Sequence, residues 1–209
     1  MIQDCSVDPK RLTMMHECMG MDIEHDSLHE YDWNVISRKA VIYSCGMICR
    51  EGDRLVHNHD PDELELCRSF SAEVANILSN CCLTTDEDTH EFVPFYVTAN
   101  LNDAVPAIVT EKIVRSAFGN TIYSGVEILV KPLEEAAHNF YDDHLTSFHS
   151  LINAFARHPK ISHPVFVEIG NTIVSDSEDT GSGCFFPRLI IGVSNSGSLI
   201  GVFTYVTHT

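Results

Sequence analysis

Four residues in one short stretch, Cys45, Cys49, His57 and His59, offer two thiolates and two imidazoles. Those are the donor types a tetrahedral zinc ion takes, usually from paired ligands about two to five residues apart. A single Asn between the two histidines is poor spacing for that pattern. The competing reading makes Cys45 and Cys49 small strand residues and puts His57 and His59 in a solvated loop. That reading is adopted, so no metal and no cofactor is expected, with these four residues the nearest approach to a site. His25 and His29 lie one helical turn apart beside Glu24 and Asp26, but the Met-rich stretch around them has no clean helical period.

Enzyme motifs begin and then fail. Gly192 to Ser196 opens like a nucleophile elbow, yet it ends in Ser and no helix pattern follows. Asp176, Glu178 and Gly181 open like a calcium loop, but the twelfth position is Pro187 where a bidentate Glu is needed. His16-Glu17, His29-Glu30 and His90-Glu91 lack the second His of a zinc-protease helix. The expectation is a protein that is not an enzyme. Cys81-Cys82 would make a strained vicinal disulfide, so a packed Cys81 and a partly exposed Cys82 are expected instead. Phe140-Tyr141, just before Asp142-Asp143, reads either as an aromatic anchor for a partner or as a hydrophobic staple for the next helix.

Charge narrows the partner. Thirteen Lys and Arg stand against 30 Asp and Glu, a formal net charge of −17. Such a field repels nucleic acid and anionic membrane and favours basic partners. The opening MIQDCSVDPKR carries charges where a signal peptide has an apolar core, and no apolar run reaches transmembrane length. Eight cysteines without a secretory signal read as reduced thiols, which points to the cytoplasm.

The elements that must position these residues become legible from about Asn34 onward. Lys39 to Cys49 with Arg54 to Asn58, around a turn at Glu51-Gly52-Asp53, predicts a hairpin. Cys67, Phe70, Val74, Ile77, Leu78 and Cys81 fall on one face of a helix that starts near Pro61. An acidic loop, Thr84 to Thr89, follows, then a strand over Phe92 to Ala99 in which Pro94 demands a sheet edge or a bulge. The pattern predicts a helix over Val105 to Phe118, a strand over Val126 to Val130, and a helix with the stripe Leu145, Phe148, Leu151, Ile152 and Phe155. A strand over Val165 to Ile169 comes next. This order predicts an α+β domain with a mixed, largely antiparallel sheet. Residues 1–60 read as a Cys/His/Met-rich extension of unknown role, and 61–209 as the domain.

The final stretch is a hairpin: Leu189 to Val193, a turn at Asn195-Ser196-Gly197, and Leu199 to Val206. Both strands are apolar on both faces, which places them in the middle of a sheet. Ile191, Gly192, Gly197, Leu199, Gly201, Thr204, Val206 and Thr209 match without a gap the C-terminal hairpin of the bacterial nuclease A inhibitor family. The chain resembles that family from about Leu64 to Thr209, through element order, spacing, Pro94-Phe95 and Phe140-Tyr141-Asp142.

The resemblance implies a three-layer α/β/α sandwich that inhibits a magnesium-dependent, sugar-nonspecific nuclease by binding its basic active site. It further implies contacts from Thr209, with His208 beside it, from the acidic loop Asp86-Glu87-Asp88, and from Phe140, where the family has Trp, with Tyr141 next to it. The alternatives are the same fold serving a different protein partner, or a Cys/His metal-binding protein.

Overall fold

The computed structural model describes residues 6–8, 36, 40–50, 57–84, 90–122, 124–170 and 184–208. In chain order these form β1 (Ala40–Ile42), β2 (Ile48–Arg50), α1 (Pro61–Ile77), β3 (Val93–Val97), α2 (Glu111–Ala117), β4 (Ile128–Pro132), α3 (Leu145–Arg157), β5 (Ile161–Ile169), β6 (Cys184–Ser194) and β7 (Leu199–His208). A 3-10 segment, Leu133–Asn139, runs between β4 and α3. The fold is α+β. No helix among the described residues is long and apolar enough to cross a membrane.

Five strands make one sheet in the order β3-β7-β6-β5-β4, and every pairing in it is antiparallel. The expected mixed sheet is therefore corrected: the connections return each strand beside its neighbour with reversed direction. The β6–β7 hairpin holds the centre. Leu199 and Phe203 on one face of β7, and Ile200, Val202 and Val206 on the other, are all buried. Such two-sided burial needs the near-continuous apolar text that the sequence has there. The turn is closed by Gly197, at φ 96°, whose N–H bonds to the Ser194 carbonyl at 2.9 Å. β3 lies at the edge, as Pro94 required.

Helix α1 starts where the sequence marks it. Asp60 caps the helix by accepting from the Asp62 N–H at 2.9 Å, Pro61 fills the first turn, and Asp62 and Glu63 face the positive end of the dipole. Its buried residues Cys67, Phe70 and Val74, continued by Leu78, face β3 and β7. Phe70 meets Phe155 of α3 edge-on, with ring centroids 5.1 Å apart. Phe118, just past α2, stacks on Phe95 at 5.7 Å, and Phe95 on Phe203 at 6.3 Å.

Two expected elements are shorter or displaced. Helix α2 occupies only Glu111–Ala117, because Thr110 caps it by accepting from the Ile113 N–H. Val105 and Ile108, which gave the predicted helix its stripe, are more than half exposed outside it. A hairpin turns at Tyr43–Met47, inside the stretch Lys39 to Cys49 expected to form one strand. Gly46 supplies the φ of 90° that this turn needs, and the Tyr43 N–H bonds to the Met47 carbonyl at 2.9 Å. Residues 51–56 lie outside the described residues. Among the described residues of the N-terminal segment, Ile36, Ala40, Ile42 and Ile48 are buried in the same core cluster as the sheet.

Candidate functional site

Two places bring together residues singled out by the sequence. The first is the end of the sheet where β7 finishes. Leu83 forms a β-bridge with Phe140, and the Thr84 N–H donates to the Asn139 carbonyl at 2.8 Å. The Thr84 hydroxyl donates to the His138 carbonyl at 3.3 Å. On the other side of the acidic loop, the His90 ring lies 3.8 Å from that of Tyr205 in β7. Of the residues flanking the acidic stretch, Leu83 and Thr84 are thus held to the Phe140 segment and His90 lies against β7. Asp86, Glu87, Asp88 and Thr209 themselves lie outside the described residues. His208 is the last residue of β7, with its backbone opposite Cys184.

Phe140 requires a correction. Its side chain is buried, stacked on Phe92 at 6.0 Å and tilted on Phe148 of α3 at 4.9 Å. It ties α3 to the core and is not available as an exposed anchor. Tyr141 is 44% exposed, and Asp142 and Asp143 are exposed beside it. Cys81 is buried and Cys82 partly exposed, with no disulfide between them. Burial pushes the Cys81 thiol above its ordinary pKa, against catalytic use. Cys82 Sγ approaches His144 Nε2 at 3.5 Å, but Asp143 reaches the same nitrogen, at 3.9 Å. A carboxylate orienting a catalytic base would hold the opposite one.

The second place is the turn between β1 and β2. Cys45, His57 and His59 are all buried, and one potential ligand atom from each lies within 4.8 Å of the others. This overturns the reading of the His pair as a solvated loop. Cys49, the fourth sequence candidate, is not in the cluster; it sits in β2 opposite Val41. The imidazoles stack with centroids 5.7 Å apart.

Thr98, which sequence reasoning missed, organises the cluster. Its hydroxyl donates to the Cys45 carbonyl at 2.7 Å and lies 3.1 Å from His57 Nε2. A hydroxyl has one proton, so with that proton on Cys45 it accepts from His57. His57 is then the Nε2–H tautomer, with its lone pair on Nδ1. Burial, then the neighbouring His59, lower the His57 pKa; burial, then Arg68, lower that of His59. Asp103 opposes the shift at His57 and Asp60 at His59. The neutral imidazole is the form a metal ion takes. Both ring nitrogens of His59 are buried and have no hydrogen-bond partner among the described residues. Leaving a buried polar atom unpaired costs about 1–3 kcal/mol.

The would-be nucleophile Ser194 is a turn clamp. Its hydroxyl bonds to Glu63 of α1 and accepts from the Ser198 N–H at 3.0 Å and the Ser196 N–H at 3.2 Å. The chain matches no known family model, and no curated protein matches it either.

Proposed function

We propose that the chain is an acidic protein-binding module, acting by contact and not by turnover, and that it presents the β7 end of its sheet to a basic partner. The carrying observation is the anchoring of the residues that flank the acidic stretch, Leu83-Thr84 on one side and His90 on the other. The Leu83–Phe140 bridge precedes Asp86-Glu87-Asp88 in the chain and the His90–Tyr205 contact follows it, and β7 ends at His208. Exposed Tyr141 adds an aromatic surface on the same segment as the bridge. The resemblance of the C-terminal hairpin names the partner class: a magnesium-dependent, sugar-nonspecific nuclease.

Such an enzyme holds phosphate at a divalent cation among basic side chains. Carboxylates and the Thr209 oxygens can occupy that field, and a net charge of −17 speeds encounter with a basic face. The three-layer α/β/α arrangement belongs to the same reading. It is supported by α1 and α3 packed together, and by Phe118 on the sheet face that carries Phe95 and Phe203. A cytoplasmic setting is supported by Cys45 and Cys81, buried thiols that form no disulfide among the described residues.

The test is titration of a nuclease of that class with the intact chain, with a chain ending at Val206, and with Asp86, Glu87 and Asp88 changed to Asn. Near-stoichiometric inhibition by the intact chain alone is the expected result. No inhibition by the intact chain at micromolar concentration, across a panel of such nucleases, overturns the nuclease as partner.

A further inference from the structure

We propose that Cys45, His57 and His59 bind one zinc-class divalent transition ion, which fastens the β1–β2 turn to the segment before α1, alongside the edge strand β3. The cluster is independent of the proposed nuclease contact, and its own geometry carries the assignment.

The donors are chemically matched. A thiolate and two neutral imidazoles suit a borderline ion such as zinc and leave a fourth position for water or another donor. The ligand atoms are already gathered within 4.8 Å, so a small contraction brings them to bonding distance. His59 is 4% exposed with neither ring nitrogen hydrogen-bonded among the described residues, and a metal bond at one of them removes an orphan. His57 is held by Thr98 at Nε2, in the way second-shell partners orient metal-ligating histidines. On binding, the Cys45 thiol proton leaves to solvent and the thiolate forms the metal–sulfur bond.

The location argues for a fastener. Thr98 gives both its N–H, at 3.2 Å, and its hydroxyl, at 2.7 Å, to the Cys45 carbonyl. The Leu101 N–H donates to the Asn58 carbonyl at 2.9 Å, and the Tyr96 hydroxyl donates to the Ser44 carbonyl at 3.2 Å. These bonds lay Ser44, Cys45 and Asn58 against β3 and the residues after it, covering an edge that would otherwise present unpaired backbone. Full burial of all three donors leaves little room for a substrate at the ion.

The full chain, stripped with a chelator and reloaded with zinc or cobalt(II), tests this directly. Expected are one zinc per chain by elemental analysis and, with cobalt, a thiolate-to-metal charge-transfer band with the visible bands of a four-coordinate ion. Cys45→Ser should lose the charge-transfer band and His59→Ala the stoichiometric zinc, whereas Cys49→Ser and Cys82→Ser should keep both. Thr98→Val, which retains all three ligands, should weaken zinc affinity by about 10–100-fold. The wild-type cobalt spectrum decides the matter even if a variant fails to fold. Absence of the band, or its loss in Cys49→Ser with retention in Cys45→Ser, overturns the proposal.

Discussion

The two hairpins solve the same problem by different means. β6 and β7 run in register from Cys184–His208 to Val193–Leu199, with partners on both outer edges and apolar side chains on both faces. β1 and β2 share three register positions in a sheet of their own. A two-stranded sheet of that size is marginal alone. It is held by core residues Ala40, Ile42 and Ile48, and by polar ties from its turn to β3. Pairing and hydrophobic burial make one hairpin self-sufficient; the other depends on where its turn lands.

Truncating the C-terminal hairpin should therefore cost most. Phe203 is 1% exposed and stacks on Phe95 in the sheet centre. Phe203→Ala should lower the unfolding free energy by about 3–5 kcal/mol, read as a shift of the urea midpoint. A loss near that of an exposed substitution would mean that the core does not converge on β7.

The N-terminal hairpin should break at its turn. Gly46 has φ 90°, and a Cβ placed there would stand 2.1 Å from the Tyr96 carbonyl oxygen. Gly46→Ala should cost about 1–3 kcal/mol and lower metal uptake in the same sample, because Cys45 is its neighbour. Ordinary stability with normal metal uptake would mean that the turn is not seated on β3.

What could be read from the sequence divides along the same line. The β6–β7 hairpin, the edge position of β3 and the start of α1 follow from local signals: apolar runs around Asn195-Ser196-Gly197, Pro94, and Asp60-Pro61. The Cys/His cluster does not. Its residue types were visible, but His57-Asn58-His59 has no zinc-like spacing, and the link from Cys45 to Thr98 joins residues far apart in the chain. No periodicity connects a turn at residue 45 to a strand end at 98. Phe140 misled for a related reason: its acidic neighbours Asp142 and Asp143 suggested a surface, while the ring itself turns inward to Phe92 and Phe148. The predicted helix over 105–118 began too early because apolar spacing at Val105 and Ile108 outweighed the Thr110 cap that starts the real one.

The smallest expected effect separates the two components of the N-terminal fastening. Thr98 holds Cys45 through its backbone N–H and through its hydroxyl, and Thr98→Val removes the second alone. The edge contact of β3 survives, so the stability loss should be only about 1 kcal/mol for the missing hydrogen bond. His57 then loses the acceptor that fixed its tautomer, and its Nδ1 lone pair is no longer guaranteed. A small change in the urea midpoint beside a clear loss of zinc affinity is the expected pair of readings. If stability collapses instead, the hydroxyl is what holds the hairpin to the sheet. If neither reading changes, backbone and apolar contacts hold it without Thr98, and the two hairpins differ less than their pairing suggests.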